Sequence, residues 1–385
     1  MAIYLDNSAT SWPKPQSVIK AMIDYMENYG GSPGRSGHTF ALKAARKVFE
    51  TRELIARFFN VPSSDRVIFT ANGTHAINLG LKGLLKKGDH VIISHMEHNS
   101  VFRPLKHMEN SGLIDLSTTD VDQNGAIDPN DIKKAIKPNT RMVAMLHGSN
   151  VSGTVFPIKE IGAICKSHGI LFMVDAAQTA GLIPIDVQRD NIDLLAFTGH
   201  KKLNGPPGIG GLCLKDELHL EGLVLGGSGS RSEMAEHPQF YPDRLEAGTL
   251  NTVGIIGLKA GMEYILAKGM DKMYQHQIQL TELLINGLNE VDQIKIIASE
   301  ISKQMLPVVP LIIKDLPSSE AALQLDREFG IMTRAGLHCS PLAHKALGTF
   351  PQGTVRLSLG NFTTQKEIEI TINALKKICQ TQTQN

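Results

Sequence analysis

The chain has 385 residues, and its 39 Lys and Arg against 38 Asp and Glu leave a formal net charge of +1. This balance argues against a general nucleic-acid binder, which normally carries a basic surplus. Hydrophobic residues make up 42% of the sequence and charged residues 20%, which excludes a wholly disordered chain and, at this length, predicts two domains.

The first part of the chain predicts two amphipathic helices followed by alternating strands and helices. The two helices span roughly 14–29 and 41–59, on either side of the turn-rich segment 30–35. Short, nearly continuous apolar runs then predict strands at 67–70, 91–94, 141–146, 170–174 and 194–197, with helices at 74–85 and 158–168. Such runs are typical of strands covered on both faces, and their alternation with helices favours a mainly parallel α/β sheet.

The second part of the chain predicts a smaller α+β domain. A polar stretch over 226–249 predicts a long functional loop, and a helix-rich stretch follows over 253–291. Strands at 305–313 and 354–359 and helices at 319–329 and 364–378 come next. We therefore predict a large α/β domain over 15–252 and a small C-terminal domain over 253–385, with residues 1–14 packing beside the small domain.

Membrane insertion, secretion and disulfide bonding are all disfavoured by the sequence. No apolar run approaches the roughly 18 residues that a membrane-spanning helix needs. The first residues contain an acid and no basic cluster, unlike a secretory signal. The four cysteines lack any Cys-x-x-Cys pair, which argues against a disulfide scaffold or a zinc site built from cysteines alone. We expect the reducing cytoplasm as the compartment.

A lysine at the end of an apolar strand is the most specific signal. The segment Ile192–Lys201 runs from the strand into a Thr-Gly-His-Lys turn, and a glycine-rich turn follows at Gly208–Gly211. Most lysines are solvated surface residues. However, open α/β sheets bind ligands at the carboxyl ends of their strands, and the small Thr198 and Gly199 leave room for a cofactor. An amine there, with a lowered pKa, can form a Schiff base.

This segment resembles the lysine signature of the class V aminotransferase family, whose members bind pyridoxal 5′-phosphate. The resemblance implies the type I fold of pyridoxal-phosphate enzymes, with the large domain as the cofactor-binding one. It also implies that Lys201 forms the Schiff base with the cofactor. Lys202 is the alternative, because the spacing between the lysine and the following Gly-Pro varies within the family.

Asp175 ends the apolar run Leu171–Asp175, where a buried carboxylate needs a cation. A pyridoxal ring offers one, since an acid keeps its pyridine nitrogen protonated. A helix-capping role would also explain an aspartate here. By resemblance, Asp175 contacts the pyridinium nitrogen and Gln178 the phenolic oxygen of the cofactor.

The resemblance also implies a phosphate site. Gly73 and Thr74 lie between a strand and a helix, whose first amides can bind a phosphate, although an N-capping role would also explain Thr74. Thr198 and His200 match further phosphate ligands of the family. Thr249 matches the residue that reaches the phosphate from a second subunit, which implies a homodimer.

Two further cofactor contacts follow from the resemblance. His98 matches a histidine that stacks on the ring and is available for proton transfer, although a surface histidine is the simpler interpretation. Asn150 matches an asparagine near the cofactor oxygen. A metal site built on His95 and His98 lacks further ligands at useful spacing, so we expect no metal.

Cys339 indicates which reaction the site performs. Most unpaired cysteines are buried and apolar, but Cys339 lies among Gly, His, Ser and Pro in a predicted loop, and Arg334 and His338 are close enough in sequence to favour its thiolate. From Tyr4–Thr10 to Arg356–Thr363 the chain resembles cysteine desulfurases of the class V family.

This resemblance implies that sulfur passes from L-cysteine to Cys339, giving L-alanine and a persulfide. Arg356 would bind the substrate carboxylate, and Lys201, Cys339 and His98 would be catalytic. The short stretch between Cys339 and Arg356 resembles the subclass that includes selenocysteine lyases and depends on a separate sulfur-acceptor protein. Sulfur metabolism, such as iron–sulfur cluster assembly, is the implied setting.

Three alternatives remain at this stage. A selenocysteine lyase, acting on L-selenocysteine, or another pyridoxal-phosphate-dependent C–S lyase or aminotransferase would share every cofactor residue. A nicotinamide-binding oxidoreductase is disfavoured, because no Gly-x-Gly-x-x-Gly opens a helix after a predicted strand. The joint presence of Lys201, Asp175, Cys339 and Arg356 argues against a catalytically silent interaction protein.

Overall fold

Two main β-sheets organise the chain in the computed structural model, which describes residues 2–34, 36–298 and 304–382. The described helices are α1 (Gln16–Asn28), α2 (Thr39–Phe59), α3 (Gly73–Leu84), α4 (Asn99–Asn110), α5 (Pro129–Ala135), α6 (Ile158–Ser167), α7 (Thr252–Lys268), α8 (Met270–Asn289), α9 (Ser318–Phe329), α10 (Pro341–Ala346) and α11 (Gln365–Gln382). The described strands are β1 (Ile3–Tyr4), β2 (Val67–Thr70), β3 (Asp89–Ser94), β4 (Ile114–Thr119), β5 (Thr140–Leu146), β6 (Leu171–Asp175), β7 (Leu194–Thr198), β8 (Gly210–Leu214), β9 (Ile294–Ile296), β10 (Val308–Ile313), β11 (Ile331–Met332), β12 (Arg334–Gly336) and β13 (Thr354–Ser358).

The larger sheet has the strand order β2-β8-β7-β6-β5-β3-β4. From β7 across to β4 all neighbouring strands are parallel, whereas β8 is antiparallel to both of its neighbours. Along β5, Val143 and Met145 belong to one hydrophobic cluster, while Met142 and Ala144 belong to another. Both faces of the sheet are therefore covered, which explains the continuous apolar strands. The predicted α/β class with a mainly parallel sheet is confirmed.

The smaller sheet is antiparallel, in the order β12-β13-β10-β9. The N-terminal strand β1 pairs in parallel with β11, and Ile3 and Leu5 are buried in the same hydrophobic cluster as the strands of this sheet. Helix α7 instead buries Ile255, Leu258 and Met262 in the core beneath the larger sheet. The domain boundary at residue 253 therefore stays a prediction.

The segment between β8 and α7 and the length of the helices were both predicted from sequence. Residues 215–251, which include the predicted long loop, form no helix or strand. Among the described residues, none of the helices combines the length and apolarity that a bilayer crossing requires.

Candidate active site

A cavity of about 190 Å³ opens where the parallel strands of the larger sheet end. It brings together residues that the sequence predicted for one site from five separate stretches: Gly73, Thr74, His98, Asn150, Asp175, Gln178, Thr198, His200 and Lys201. A larger cavity of about 440 Å³ lies at the opposite edge of the same sheet, where β6 and β7 begin, and none of the predicted residues lines it. Parallel strands explain the clustering, because their carboxyl ends meet at one edge.

The amines of Lys201 and Lys202 have different surroundings. Lys201 lines the cavity, and burial lowers the pKa of its amine to about 8 against the opposing attraction of Asp175. Lys202 does not line the cavity; its Nζ donates to Gln277 Oε1 at 3.0 Å and to the Leu359 carbonyl at 2.9 Å. Only the Lys201 amine is therefore available to a ligand in the cavity.

Gly199 shapes the lysine turn by close packing rather than by facing the cavity. A Cβ at this position would lie 2.8 Å from Ile209 Cγ2 and 3.0 Å from the Ile209 carbonyl oxygen. Of the two small residues predicted to leave room for a cofactor, Thr198 lines the cavity. Its Oγ1 is buried and has no hydrogen-bond partner.

Asp175 and His98 are linked through Ser100. Burial raises the pKa of the Asp175 carboxyl, although its Oδ1 accepts from Ala177 N at 2.9 Å. Ser100 Oγ lies 3.5 Å from Asp175 Oδ2 and 2.8 Å from His98 Nδ1, which also accepts from Ser100 N at 3.1 Å. Burial and the nearby Lys201 lower the pKa of His98 to about 4. The imidazole is therefore neutral near pH 7 and carries its proton on Nε2.

The start of α3 presents free backbone amides at the cavity. The first amides of this helix, those of Gly73 and Thr74, have no acceptor among the described residues. Free amides and the helix dipole together favour a phosphate at such a position. His200 also lines the cavity, and burial lowers the pKa of its imidazole to about 4.

The N-terminal residues hydrogen-bond to two residues that line the cavity. Gln178 Nε2 donates to the Ser8 carbonyl at 3.0 Å, while Gln178 Oε1 is buried without a partner. Lys14 Nζ donates to the carbonyl of His200 at 2.8 Å, and burial lowers the pKa of Lys14 to about 8. The segment that precedes α1 therefore contacts the lysine turn directly.

Arg356 lies beside the cavity and is only 1% exposed. Its Nη2 donates to Asp6 Oδ1 at 2.6 Å and its Nη1 to the Asn150 carbonyl at 3.2 Å, while Nε has no partner. Burial lowers the pKa of the guanidinium, and Asp6 opposes this shift. The contacts with Asp6 and Asn150 therefore hold this guanidinium in one orientation beside the cavity.

Cys339 is exposed on a loop that is bonded to the rim of the cavity. Its carbonyl accepts from Asn99 N at 2.8 Å, and Arg334 Nη2 lies 3.2 Å from its Sγ. The guanidinium is thus close enough to donate a hydrogen bond to the sulfur. His338 does not supply a charge as the sequence suggested, because its Nε2 lies 3.0 Å from Thr354 Oγ1 and burial lowers its pKa to about 2.

Thr249 does not line this cavity. It borders a separate cavity of about 340 Å³, next to a buried ion pair in which Arg52 donates to both oxygens of Glu246 at 2.8 and 2.9 Å. Within one chain, the Glu246–Thr249 segment is thus separate from the other predicted residues. The contact of Thr249 with the cofactor phosphate of a second subunit stays a prediction.

Two residues of the site were missed at the level of sequence. Asp6 lies within the Tyr4–Thr10 segment, but its pairing with Arg356 spans 350 positions and has no local signal. Ser100 follows His98 by two residues and gives no pattern of its own. Among the described residues, no group of three or more His, Cys, Asp or Glu side chains is arranged to hold a metal ion.

Comparison with known proteins gives concordant matches along the chain. A family model described as Aminotransferase class-V matches residues 3–370. A "Probable cysteine desulfurase" of Methanothermobacter thermautotrophicus is 36% identical and covers 98% of this chain and 94% of the relative. "Cysteine desulfurase IscS" of Dictyoglomus turgidum is 30% identical, with coverage of 98% and 94%.

Solved structures give the same result. The apo structure of a cysteine desulfurase from Thermococcus onnurineus NA1 matches with a TM-score of 0.93 at 32% identity, covering 98% of this chain and 95% of that one. The cysteine desulfurase CsdA (S-sulfonic acid) from Escherichia coli matches with a TM-score of 0.86 at 28% identity, covering 98% and 94%.

Proposed function

The chain belongs to the class-V aminotransferase family, and we propose that it is a pyridoxal-phosphate-dependent cysteine desulfurase acting on L-cysteine. Its type I fold is the one found in the cysteine desulfurases of known structure. The observation that carries the proposal is the meeting of Lys201 and Asp175 in one cavity, with the loop of Cys339 bonded to its rim through Asn99 and Asn150.

The residues of the cavity fit pyridoxal phosphate. The Lys201 amine, with its pKa lowered to about 8, is far more often neutral near pH 7 than an ordinary lysine. The free amides of Gly73 and Thr74 and the unpartnered Thr198 Oγ1 suit the phosphate. The buried Asp175 carboxylate suits a protonated pyridine nitrogen. When bound, this cofactor supplies an electron sink for charge that develops at the substrate α-carbon.

Arg356 binds the substrate carboxylate in this proposal. Its Asp6 and Asn150 contacts fix the guanidinium before substrate arrives, so little side-chain freedom is lost on binding. Its Nε is buried and has no partner among the described residues. Holding the carboxylate at Arg356 would orient the substrate relative to the Lys201 amine.

Proton transfer then falls to Lys201 and His98. An amine with a pKa of about 8 both accepts and releases a proton near neutral pH, which is the condition for efficient general acid–base catalysis. His98 is held neutral, with its Nδ1 occupied as an acceptor from Ser100 N. The proton on His98 Nε2 is thus the one that this side chain can donate.

Cys339 accepts the sulfur. Its thiolate, with Arg334 beside the sulfur, attacks the sulfur of the substrate, so that an S–S bond forms and the substrate Cβ–S bond breaks. The electron pair of the broken bond stays with the carbon fragment, which takes up a proton and is released as L-alanine. The resulting persulfide is on an exposed side chain, where a separate acceptor protein can reach it.

A complete site in this proposal needs a second copy of the chain, because Thr249 lies apart from the cavity of its own chain. The whole proposal is tested by recording the visible absorbance of the purified protein and its release of alanine from cysteine, with and without a thiol reductant. We expect a yellow protein whose alanine release continues only while the reductant removes the persulfide. A protein that stays colourless after incubation with pyridoxal phosphate would contradict the proposal.

A further inference from the structure

Asn150 makes hydrogen bonds on both sides of Cys339. Its Nδ2 donates to the His338 carbonyl at 2.7 Å, and its Oδ1 accepts from Ser340 Oγ at 3.1 Å. The side chains of Asn150, His338 and Ser340 are all buried. Both ends of the carboxamide are thus engaged by the two neighbours of the cysteine.

The loop at this point has a backbone conformation that needs external support. His338 and Cys339 have φ angles of +49° and +61°, in the left-handed region that residues with side chains rarely adopt. Two consecutive residues of this kind persist only when surrounding contacts hold them. Those contacts come from Asn150 and from Asn99 N, which donates to the Cys339 carbonyl at 2.8 Å.

We infer that Asn150 is a positioning residue for Cys339, a role separate from its predicted contact with the cofactor. Its carboxamide binds the main-chain carbonyl of His338 before the cysteine and the side-chain hydroxyl of Ser340 after it. The main-chain carbonyl of Asn150 accepts from Arg356 Nη1 at 3.2 Å. One residue therefore contacts both the substrate-binding guanidinium and the loop that carries the attacking sulfur. This inference rests on the proposed desulfurase function.

The variant Ser340→Ala tests the inference, because it removes one of these hydrogen bonds without touching the cavity. We expect kcat for alanine release to fall about tenfold, since small misplacements of a reacting group are costly, with KM for cysteine and the visible absorbance unchanged. Hydrogen exchange of the peptide that spans 334–345 should become about threefold faster, while peptides of β6 stay unchanged. Asn150→Asp, which removes the donor to His338, should speed exchange in the same peptide.

Ser111→Ala serves as the matched control, because that hydroxyl donates only to Met108 O at the end of α4. A kcat for Ser340→Ala within about twofold of the wild type overturns the inference, whatever the exchange rate. If Ser340→Ala does not fold, hydrogen exchange of the 334–345 peptide is measured in Asn150→Asp instead. An exchange rate equal to that of the wild type then overturns the inference. If the wild-type protein releases no alanine, the proposed function fails, whereas the exchange rates still decide whether Asn150 holds the loop.

Discussion

Lys201 and Lys202 are adjacent in sequence, yet the first lines the cavity and the second bonds to Gln277 and Leu359 behind it. We expect Lys201→Ala to lose the visible absorbance of bound pyridoxal phosphate and to lower turnover about 1000-fold or more. Lys202→Met should keep the absorbance. Spectra of the two purified variants, recorded after incubation with the cofactor, provide the check. Absorbance retained by Lys201→Ala and lost by Lys202→Met would reverse the assignment.

The buried amine of Lys202 also predicts a pH dependence of stability. Burial lowers its pKa to about 7, whereas a lysine in an unfolded chain titrates near 10.4. The unfolded state therefore binds more protons between these values, and the free energy of unfolding rises with pH across this window. Below about pH 7 the contribution is constant and unfavourable.

Lys202→Met lacks this titration, so the wild type should gain stability relative to the variant between about pH 7 and pH 10. Urea unfolding of both proteins at the two pH values measures the difference. Because other titrating groups are common to both proteins, their effects largely cancel. An equal stability difference at both pH values would contradict the lowered pKa.

Substitution of Cys339 should stop sulfur transfer without affecting cofactor binding. Cys339→Ser should keep the cofactor absorbance but lower alanine release from cysteine at least about 100-fold, because a hydroxyl does not replace the thiolate as the sulfur acceptor. An amino-acid assay of released alanine gives the measurement, with Cys379→Ser, a buried cysteine of α11, as the control. Alanine release retained by Cys339→Ser would favour an aminotransferase-like or selenocysteine-specific enzyme, and the same assay with L-selenocysteine would separate these two.

Arg356 and Arg334 should affect different kinetic constants. Arg356→Lys removes the planar pair of donors, so KM for cysteine should rise about tenfold. Arg334 contacts Cys339 rather than the cavity, so Arg334→Lys should mainly lower kcat. Steady-state kinetics separates the two effects, and thermal unfolding checks that the buried Arg356 position tolerates lysine. A raised KM in Arg334→Lys alone would exchange the roles of the two arginines.

The role of Thr249 in a second subunit can be tested with mixed dimers. Consider a dimer of one Lys201→Ala chain and one Thr249→Ala chain. If Thr249 completes the active site of the partner subunit, one site of this dimer carries both substitutions and the other carries neither. Such mixed dimers should therefore recover about half of the wild-type turnover per dimer. Dimers carrying two different affinity tags can be purified for the assay. Turnover no higher than that of the Thr249→Ala homodimer would place Thr249 in its own chain's site.

Elements with a strong hydrophobic period could be predicted from sequence, and polar edge elements could not. Strand β2 lies where the apolar run predicted it, and β5 and β7 extend the predicted runs by one residue. Strand β4 was missed, because it is an edge strand of sequence Ile-Asp-Leu-Ser-Thr-Thr that pairs only with β3. Helix α4 was also missed, since it is polar on average and contains Pro104.

The residues of the candidate site also include some that could be predicted from sequence and some that could not. Residues at or just beyond the end of a strand, such as Asp175 and Lys201, could be predicted because parallel strands bring them to one edge of the sheet. The bonds of Asn150 to the cysteine loop could not, since they join positions 188 and 190 residues apart. Contacts of this range depend on how the two sheets pack, and no local pattern encodes that packing.

The ion pair between Asp6 and Arg356 has a consequence for biosynthesis. Arg356 is synthesised 350 residues after Asp6. The guanidinium proposed to bind the substrate carboxylate is therefore absent while the chain between them is being made. Final assembly of this enzyme is thus delayed until the last strand of its sheet has been made, and a nascent chain released early carries an unfinished binding site.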